Sequence, residues 1–146
     1  MAKSAADLVK EAKSQIDNLT PAEVKEELAK GNATLIDIRE PEELKVNGRI
    51  DGSILAPRGM LEFFADETTP YHKPEFDRSK KLILQCASGG RSALAAVALK
   101  QMGYTDVCHL DGGIKAWKPS HGLCLNAGCP RTPQEFWTPA VAQAPP

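Results

Sequence analysis

In Leu82-Ile83-Leu84-Gln85-Cys86-Ala87-Ser88-Gly89-Gly90-Arg91-Ser92, three aliphatic residues stand directly behind Lys80-Lys81. An apolar run of this length, bounded by charge, has the pattern of a strand buried on both faces. After Cys86 comes a loop of small residues. Ser92 to Met102 then reads as a helix, with Gly103 placed to stop it. Cys86 is therefore expected at the carboxyl end of a strand, facing the amino end of a helix. Backbone N–H groups and the positive end of the helix dipole converge at such a place. A thiol held there loses its proton readily and becomes a thiolate near neutral pH. Gly89-Gly90 suits a loop wrapped closely around a ligand, and Arg91 adds a fixed positive charge at its exit. The expectation is a cysteine nucleophile in an anion cradle. A merely structural cysteine, the common fate of a buried thiol, would not need that loop.

Outward from this stretch the chain alternates strands and helices. Ala5 to Lys13 reads as a short docking helix or a frayed end, and Ile16 to Leu19 as a first strand. Thr20-Pro21-Ala22-Glu23 combines a capping residue, a proline suited to the first helical position and a capping-box glutamate, so a helix runs from there to Gly31. Thr34 to Ile38 is a buried strand, Pro41 to Val46 a short helix, Ser53 to Ala56 a third strand and Pro57 to Phe64 another helix. Asp66 to Ser79 has no periodicity and reads as a flap-like loop whose His72 is a surface residue. Asp106 to Leu110 is the last strand. Cys108 within it is a core residue, and His109, on the opposite face, satisfies a local hydrogen bond rather than a metal. Asp111-Gly112-Gly113 turns into a helix whose Trp117 packs on the domain.

Buried aliphatic strands alternating with helices predict a three-layer α/β/α domain around a central, mainly parallel sheet of about five strands. In such sheets ligands bind beyond the carboxyl ends of the strands. Asp37 and Arg39, Arg58, Cys86 with its loop, and Asp111 should meet there. For Asp37 and Arg39 the plain alternative is an ion pair of little consequence; for Arg58 it is a solvated side chain.

Cys86-Ala87-Ser88-Gly89-Gly90-Arg91-Ser92 resembles the active-site loop of the rhodanese (sulfurtransferase) domain. Leu35 to Glu43 is similar to that family's early strand-and-turn signature. Gly48-Arg49-Ile50-Asp51-Gly52-Ser53-Ile54 resembles its Gly-His-Ile-x-Gly-Ala segment, with Arg49 in place of histidine. Leu110-Asp111-Gly112-Gly113 through Trp117 resembles its closing Gly-Gly-x-x-x-Trp element. The blocks keep family order over about residues 16 to 120. The resemblance implies a Cys86 persulfide, backbone N–H groups of Ala87 to Ser92 around it with the Ser88 hydroxyl and Arg91 assisting, and Asp37 accepting hydrogen bonds from the loop. It implies a small sulfur-containing anion as donor, thiosulfate or a persulfide. The acceptor would be a thiol or a sulfur-carrier protein, with cyanide serving in an assay, and no cofactor or metal is needed. One departure bears on the donor. Animal-type thiosulfate sulfurtransferases carry a basic residue directly after the cysteine, where this chain has Ala87.

Two other readings stay open. A sulfur-carrier or persulfide-binding module without rapid turnover would keep the same loop. A cysteine phosphatase or arsenate reductase also sets a thiolate in an anion loop, but that loop is one residue longer. Here four residues, Ala87-Ser88-Gly89-Gly90, separate Cys86 from Arg91.

The bulk properties bound the rest. The chain has 146 residues, 25 % of them charged, and a formal net charge of −1. That length suits one domain with a core, and the balance points to neither nucleic acid nor membrane as a partner. No apolar run reaches a membrane span, the start lacks a secretory core, and four irregularly spaced cysteines do not form a disulfide framework. A cytoplasmic protein with reduced thiols is expected. Residues 1–15 read as an N-terminal helix or extension and 16–120 as the domain. Residues 121–146 read as a tail rich in proline, in which Cys124 and Cys129 could be a redox pair, a metal half-site or a resolving thiol.

Overall fold

The computed structural model describes residues 2–121; the Cys124 and Cys129 readings lie outside them. Five strands, β1 (Asp17–Leu19), β2 (Ala33–Asp37), β3 (Ile54–Leu55), β4 (Lys81–Gln85) and β5 (Val107–Leu110), form one sheet in the order β1-β5-β4-β2-β3. Every neighbouring pair is parallel, so all carboxyl ends share one edge. The register aligns Asn18, His109, Leu84, Ile36 and Ile54 in a single row across the sheet.

The helices are α1 (Ala5–Lys13), α2 (Pro21–Ala29), α3 (Pro41–Asn47), α4 (Leu61–Ala65), α5 (Gly90–Gln101) and α6 (Gly113–His121). Helix α2 starts as its sequence dictates. The Thr20 hydroxyl accepts from Glu23 N–H and the Glu23 carboxylate accepts from Thr20 N–H, with Pro21 following the cap. Helix α1 carries the same device in Ser4 and Asp7, and of the two readings of this segment it takes the docked one. Pro57 to Phe64 is not one helix: a 3-10 turn at Arg58–Met60 precedes α4, consistent with the fixed φ of Pro57 and the Gly59 beside it.

The period of two along each strand divides the core. Ile36, Leu82, Leu84 and Val107 face α1, α4 and α5, packing with Ala12, Phe64, Ala96 and Leu99. Leu35, Ile83, Cys108 and Leu110 face the other way, against Val24 of α2 and Ile114 and Trp117 of α6. Each fully buried aliphatic side chain contributes about 1.5–3 kcal/mol of transfer free energy, and together they hold the strand ends rigidly enough to carry a site. Among the described residues no helix is long and apolar enough to cross a membrane.

Candidate active site

Strand β4 ends at Gln85, and Cys86 is the next residue. The loop closes on Gly89, whose φ of 101° lies in the left-handed region that a side chain at this position would strain. This turn starts α5 at Gly90, two residues earlier than the helical pattern of Ser92 to Met102 suggests. It also aims two amides at the sulfur: Gly89 N–H donates to Cys86 Sγ at 3.1 Å and Ser92 N–H at 3.4 Å. Cys86 is 1 % exposed. Within the loop the Cys86 and Ala87 carbonyls are turned away from the sulfur, accepting from Ile114 N–H and Lys115 N–H at the start of α6. The cradle is thus lined with donors while its acceptors are occupied elsewhere. Of the six loop residues, Gly89 and Ser92 supply the amide bonds to the sulfur, while Ser88 stands exposed at the tip.

Arg91, Arg39 and Arg58 are each paired with a carboxylate. Arg91 does not turn into the cradle. Its guanidinium makes a two-pronged pair with Glu43 of α3, both contacts at 2.9 Å, and this holds the Glu43 carboxyl down at about 2. The Arg91 pKa is raised first by that hydrogen bond, then by the charges of Glu43, Cys86 and Asp37, against its partial burial. Arg91 therefore clamps α3 to the first turn of α5.

Asp37 and Arg39 sit on the same carboxyl edge and are almost completely buried, but they bond to each other. Asp37 Oδ1 accepts from Arg39 N–H and Nε–H, Asp37 Oδ2 accepts from an Arg39 Nη2 proton at 2.7 Å, and that nitrogen also donates to the Gly48 carbonyl. The hydrogen bonds of Asp37 go to Arg39 rather than to the active-site loop, because Arg39 lies two residues away with its fork aligned. Arg58 begins the 3-10 turn beyond β3, where its side chain pairs with Glu62 at 2.7 Å on a partly exposed surface. Asp111 pairs with Lys13 of α1 at 3.1 Å.

One group near the sulfur is not anticipated by the sequence reading. The Cys86 thiol donates to Ser92 Oγ at 3.5 Å. Ser92 Oγ lies 2.8 Å from His109 Nδ1, and His109 Nε2 lies 2.7 Å from Asn18 Oδ1. His109 is fully buried, and burial pulls its pKa down to about 4 against a weaker opposing effect of Asp111. The available signal was the strand period, which puts His109 on the face of β5 shared by Leu84 of β4 and by Cys86 just beyond it. Using it requires the β4–β5 register, which the sequence alone does not supply. Among the described residues no group of histidine, cysteine or acidic side chains is gathered so as to hold a metal ion.

The family model described as the rhodanese-like domain matches residues 20–120. Over 100 residues the chain is 34 % identical to the probable adenylyltransferase/sulfurtransferase MoeZ of Mycobacterium tuberculosis, a match covering 68 % of this chain and 24 % of that much longer protein. It is 35 % identical over 93 residues to a sulfurtransferase of Allochromatium vinosum, covering 64 % and 78 % of the two chains. Among solved structures, a Rhodopseudomonas palustris protein of unknown function, described as a possible tyrosine phosphatase, superposes with a TM-score of 0.79 at 39 % identity. That match covers 85 % of this chain and 96 % of the other.

Proposed function

The chain belongs to the rhodanese-like domain family, and from that premise we propose that it is a sulfurtransferase working through a Cys86 persulfide. The observation that carries this reading is the pair of amides, Gly89 N–H and Ser92 N–H, converging on one buried sulfur at the amino end of a helix. Such donors stabilise negative charge on sulfur in the thiolate and again in the persulfide. The Cys86 thiolate attacks the outer sulfur of thiosulfate, the S–S bond to Cys86 forms, and sulfite departs with the electron pair of the broken bond. A thiol acceptor, as its thiolate, then attacks the outer persulfide sulfur and regenerates the Cys86 thiolate. A persulfide donor serves the first step equally, with a thiolate as leaving group. Ala87 in place of a basic residue favours the persulfide over the doubly charged thiosulfate, and a sulfur-carrier protein fits the acceptor role.

Three features favour sulfur over phosphate, against the description attached to the Rhodopseudomonas structure. The attacked atom must reach a cysteine that is 1 % exposed; a sulfane sulfur presents alone at the end of a small donor, whereas a phosphoryl group brings its oxygens with it. Phosphate loops also direct their arginine at those oxygens, and here the Arg91 fork is engaged by Glu43. Asp37, the buried carboxylate on this edge, has both oxygens engaged by Arg39 and so does not reach a leaving group.

Intact mass after incubation with thiosulfate, and separately with a persulfide donor, tests the reading. The expected result is a gain of one sulfur, removed by cyanide and absent in Cys86→Ser. Loading without turnover to thiol acceptors would make the protein a carrier, and no gain with either donor would sink the assignment.

A further inference from the structure

The hydrogen bonds behind Cys86 have a direction that heavy-atom positions determine. The Asn18 amide is fixed first: its Nδ2 donates to the Lys13 carbonyl at 2.9 Å and to the Ile16 carbonyl at 3.2 Å. The atom facing His109 is therefore the Oδ1 acceptor, which forces the proton of the neutral imidazole onto Nε2. Nδ1 is then bare and accepts. Ser92 has one hydroxyl proton and two acceptors in reach, Gly89 O at 3.3 Å and His109 Nδ1 at 2.8 Å; the shorter contact takes it. With its proton so committed, Ser92 Oγ presents lone pairs to Cys86, whose thiol donates to it. The chain runs one way: sulfur to Ser92, Ser92 to His109, His109 to Asn18.

We propose that His109 is a positioning residue for sulfur transfer, receiving the Cys86 proton through the Ser92 hydroxyl and holding it while the sulfur is anionic. The step balances without any added reagent. The Cys86 S–H bond breaks as a new O–H bond forms on Ser92. The original Ser92 O–H bond breaks as an N–H bond forms on His109 Nδ1, leaving thiolate and imidazolium. The hydrogen bonds then reverse, with imidazolium donating to Ser92 Oγ and the Ser92 hydroxyl donating to sulfur. When the acceptor has taken the sulfane sulfur, the same path returns the proton. Burial keeps His109 neutral against protonation from water at neutral pH, so the imidazolium arises only with the opposite charge on sulfur close by. The charged and titratable groups around the ring are Lys13 of α1 and Asp111 beyond β5, which pair with each other, and Cys86 beyond β4. From β1 comes neutral Asn18, and from α5 neutral Ser92; at the loop, a Cβ on Gly89 would lie 3.7 Å from the ring. The far end of the relay, Asn18 and Lys13, precedes residue 20, where the family match begins.

The relay rests on Cys86 being the nucleophile, so its test reads protons rather than transferred sulfur. Nitrogen NMR of the labelled full chain should show resting His109 as the neutral Nε2–H tautomer at neutral pH. After polysulfide loads Cys86, both ring nitrogens should carry protons. The rate at which iodoacetamide alkylates Cys86 at neutral pH, taken against Cys86→Ser to cancel the other cysteines, should fall about tenfold or more in Ser92→Ala and in His109→Asn. The second variant keeps an acceptor for Ser92 but has no proton site. Ser92→Thr, which retains the hydroxyl, should restore it. A resting Nδ1–H tautomer, or an unchanged alkylation rate in both folded variants, would overturn the relay. If His109→Asn does not fold, the wild-type tautomer and Ser92→Ala still decide. A protein that never loads sulfur yet shows the resting Nε2–H tautomer and slowed alkylation in both variants would keep the relay and lose the transferase.

Discussion

Cys86 and Cys108 are both free and both almost fully buried, and what separates them is the set of groups around the sulfur. Burial pushes the Cys108 thiol up to about 12, with the Lys81 charge opposing weakly, and the thiol makes a long donation to the Leu82 carbonyl. A group that stays a thiol at every physiological pH is filler. Cys108→Ala should therefore leave transfer within about twofold and cost roughly 1 kcal/mol of stability, while Cys86→Ser should abolish transfer with the fold intact. Transfer rates and urea midpoints of the two variants check the contrast. The acid limb belongs to this scale too. His109 has a folded pKa near 4 against 6.5 for the free group, so below pH 6.5 the unfolded chain takes a proton that the folded one refuses. Stability is then complete above pH 6.5 and falls by about 3 kcal/mol between there and pH 4. Glu43, lowered from 4.5 to about 2 by Arg91, extends the same sign to lower pH, discounted because the pair is partly exposed. Urea midpoints from pH 7 to pH 4 should fall more steeply in wild type than in His109→Asn; parallel curves would show that the imidazole does not resist protonation in the fold.

At the scale of elements, the active-site loop is held from behind by the turn that opens α6. Gly113 has a φ of 62°, and a Cβ there would lie 2.5 Å from the Cys86 carbonyl oxygen and 2.6 Å from the carbonyl carbon and oxygen of Ala87. Those are backbone atoms of the loop, so they yield only if Cys86 moves. Gly113→Ala should cost about 2 kcal/mol or more and lower transfer on the order of a hundredfold, the scale expected for a misplacement of about 1 Å in a positioned site. Gly59→Ala, with nothing within 4 Å and an ordinary φ, should change neither by much. Transfer and melting measured on both would expose an indifferent loop if the two variants behaved alike. The sequence made this region legible in part. A strand ending on Cys86, two glycines and a helix follow from local pattern, and the Thr20 cap and the Gly112-Gly113 turn do so as well. Where Arg91 points does not: Glu43 is 48 residues away, and a pairing across that distance leaves no local trace. His109 was read as satisfied by a local hydrogen bond for the same reason, since the partner on one side is Ser92 of a different element.

On the scale of the whole molecule, an all-parallel sheet gathers its strand ends at one edge, and α1 packs on α5, the helix that starts there. The family match starts at residue 20, leaving α1 and β1 before it. Yet α1 packs on α5, with Ala12 buried and Val9 lying 3.7 Å from where a Cβ on Gly90 would be. Lys100 Nζ of α5 donates to the Gln15 carbonyl just beyond α1, and the Lys13 ammonium pairs with Asp111. The Lys13 carbonyl is also one of the two acceptors that orient Asn18. Deleting residues 2–14 removes all of this except the Gln15 contact. The apolar part, about one alanine and one valine side chain taken from water, amounts to roughly 2–3 kcal/mol, and the exposed ion pair adds less than about 1 kcal/mol. The truncated chain should still fold, since both core faces keep their strands, but with a urea midpoint lowered in proportion. Transfer should drop further than stability predicts, because α5 supplies the amide of Ser92 and loses its outer support, and because Asn18 keeps only the Ile16 carbonyl of the two acceptors that orient it. Equilibrium unfolding and transfer rate, measured on the same preparations, separate the two effects. An unchanged midpoint would mean that α1 rests on the domain without stabilising it. A lowered midpoint with transfer unchanged under fully folded conditions would mean that its contacts stop at the core and do not reach the sulfur.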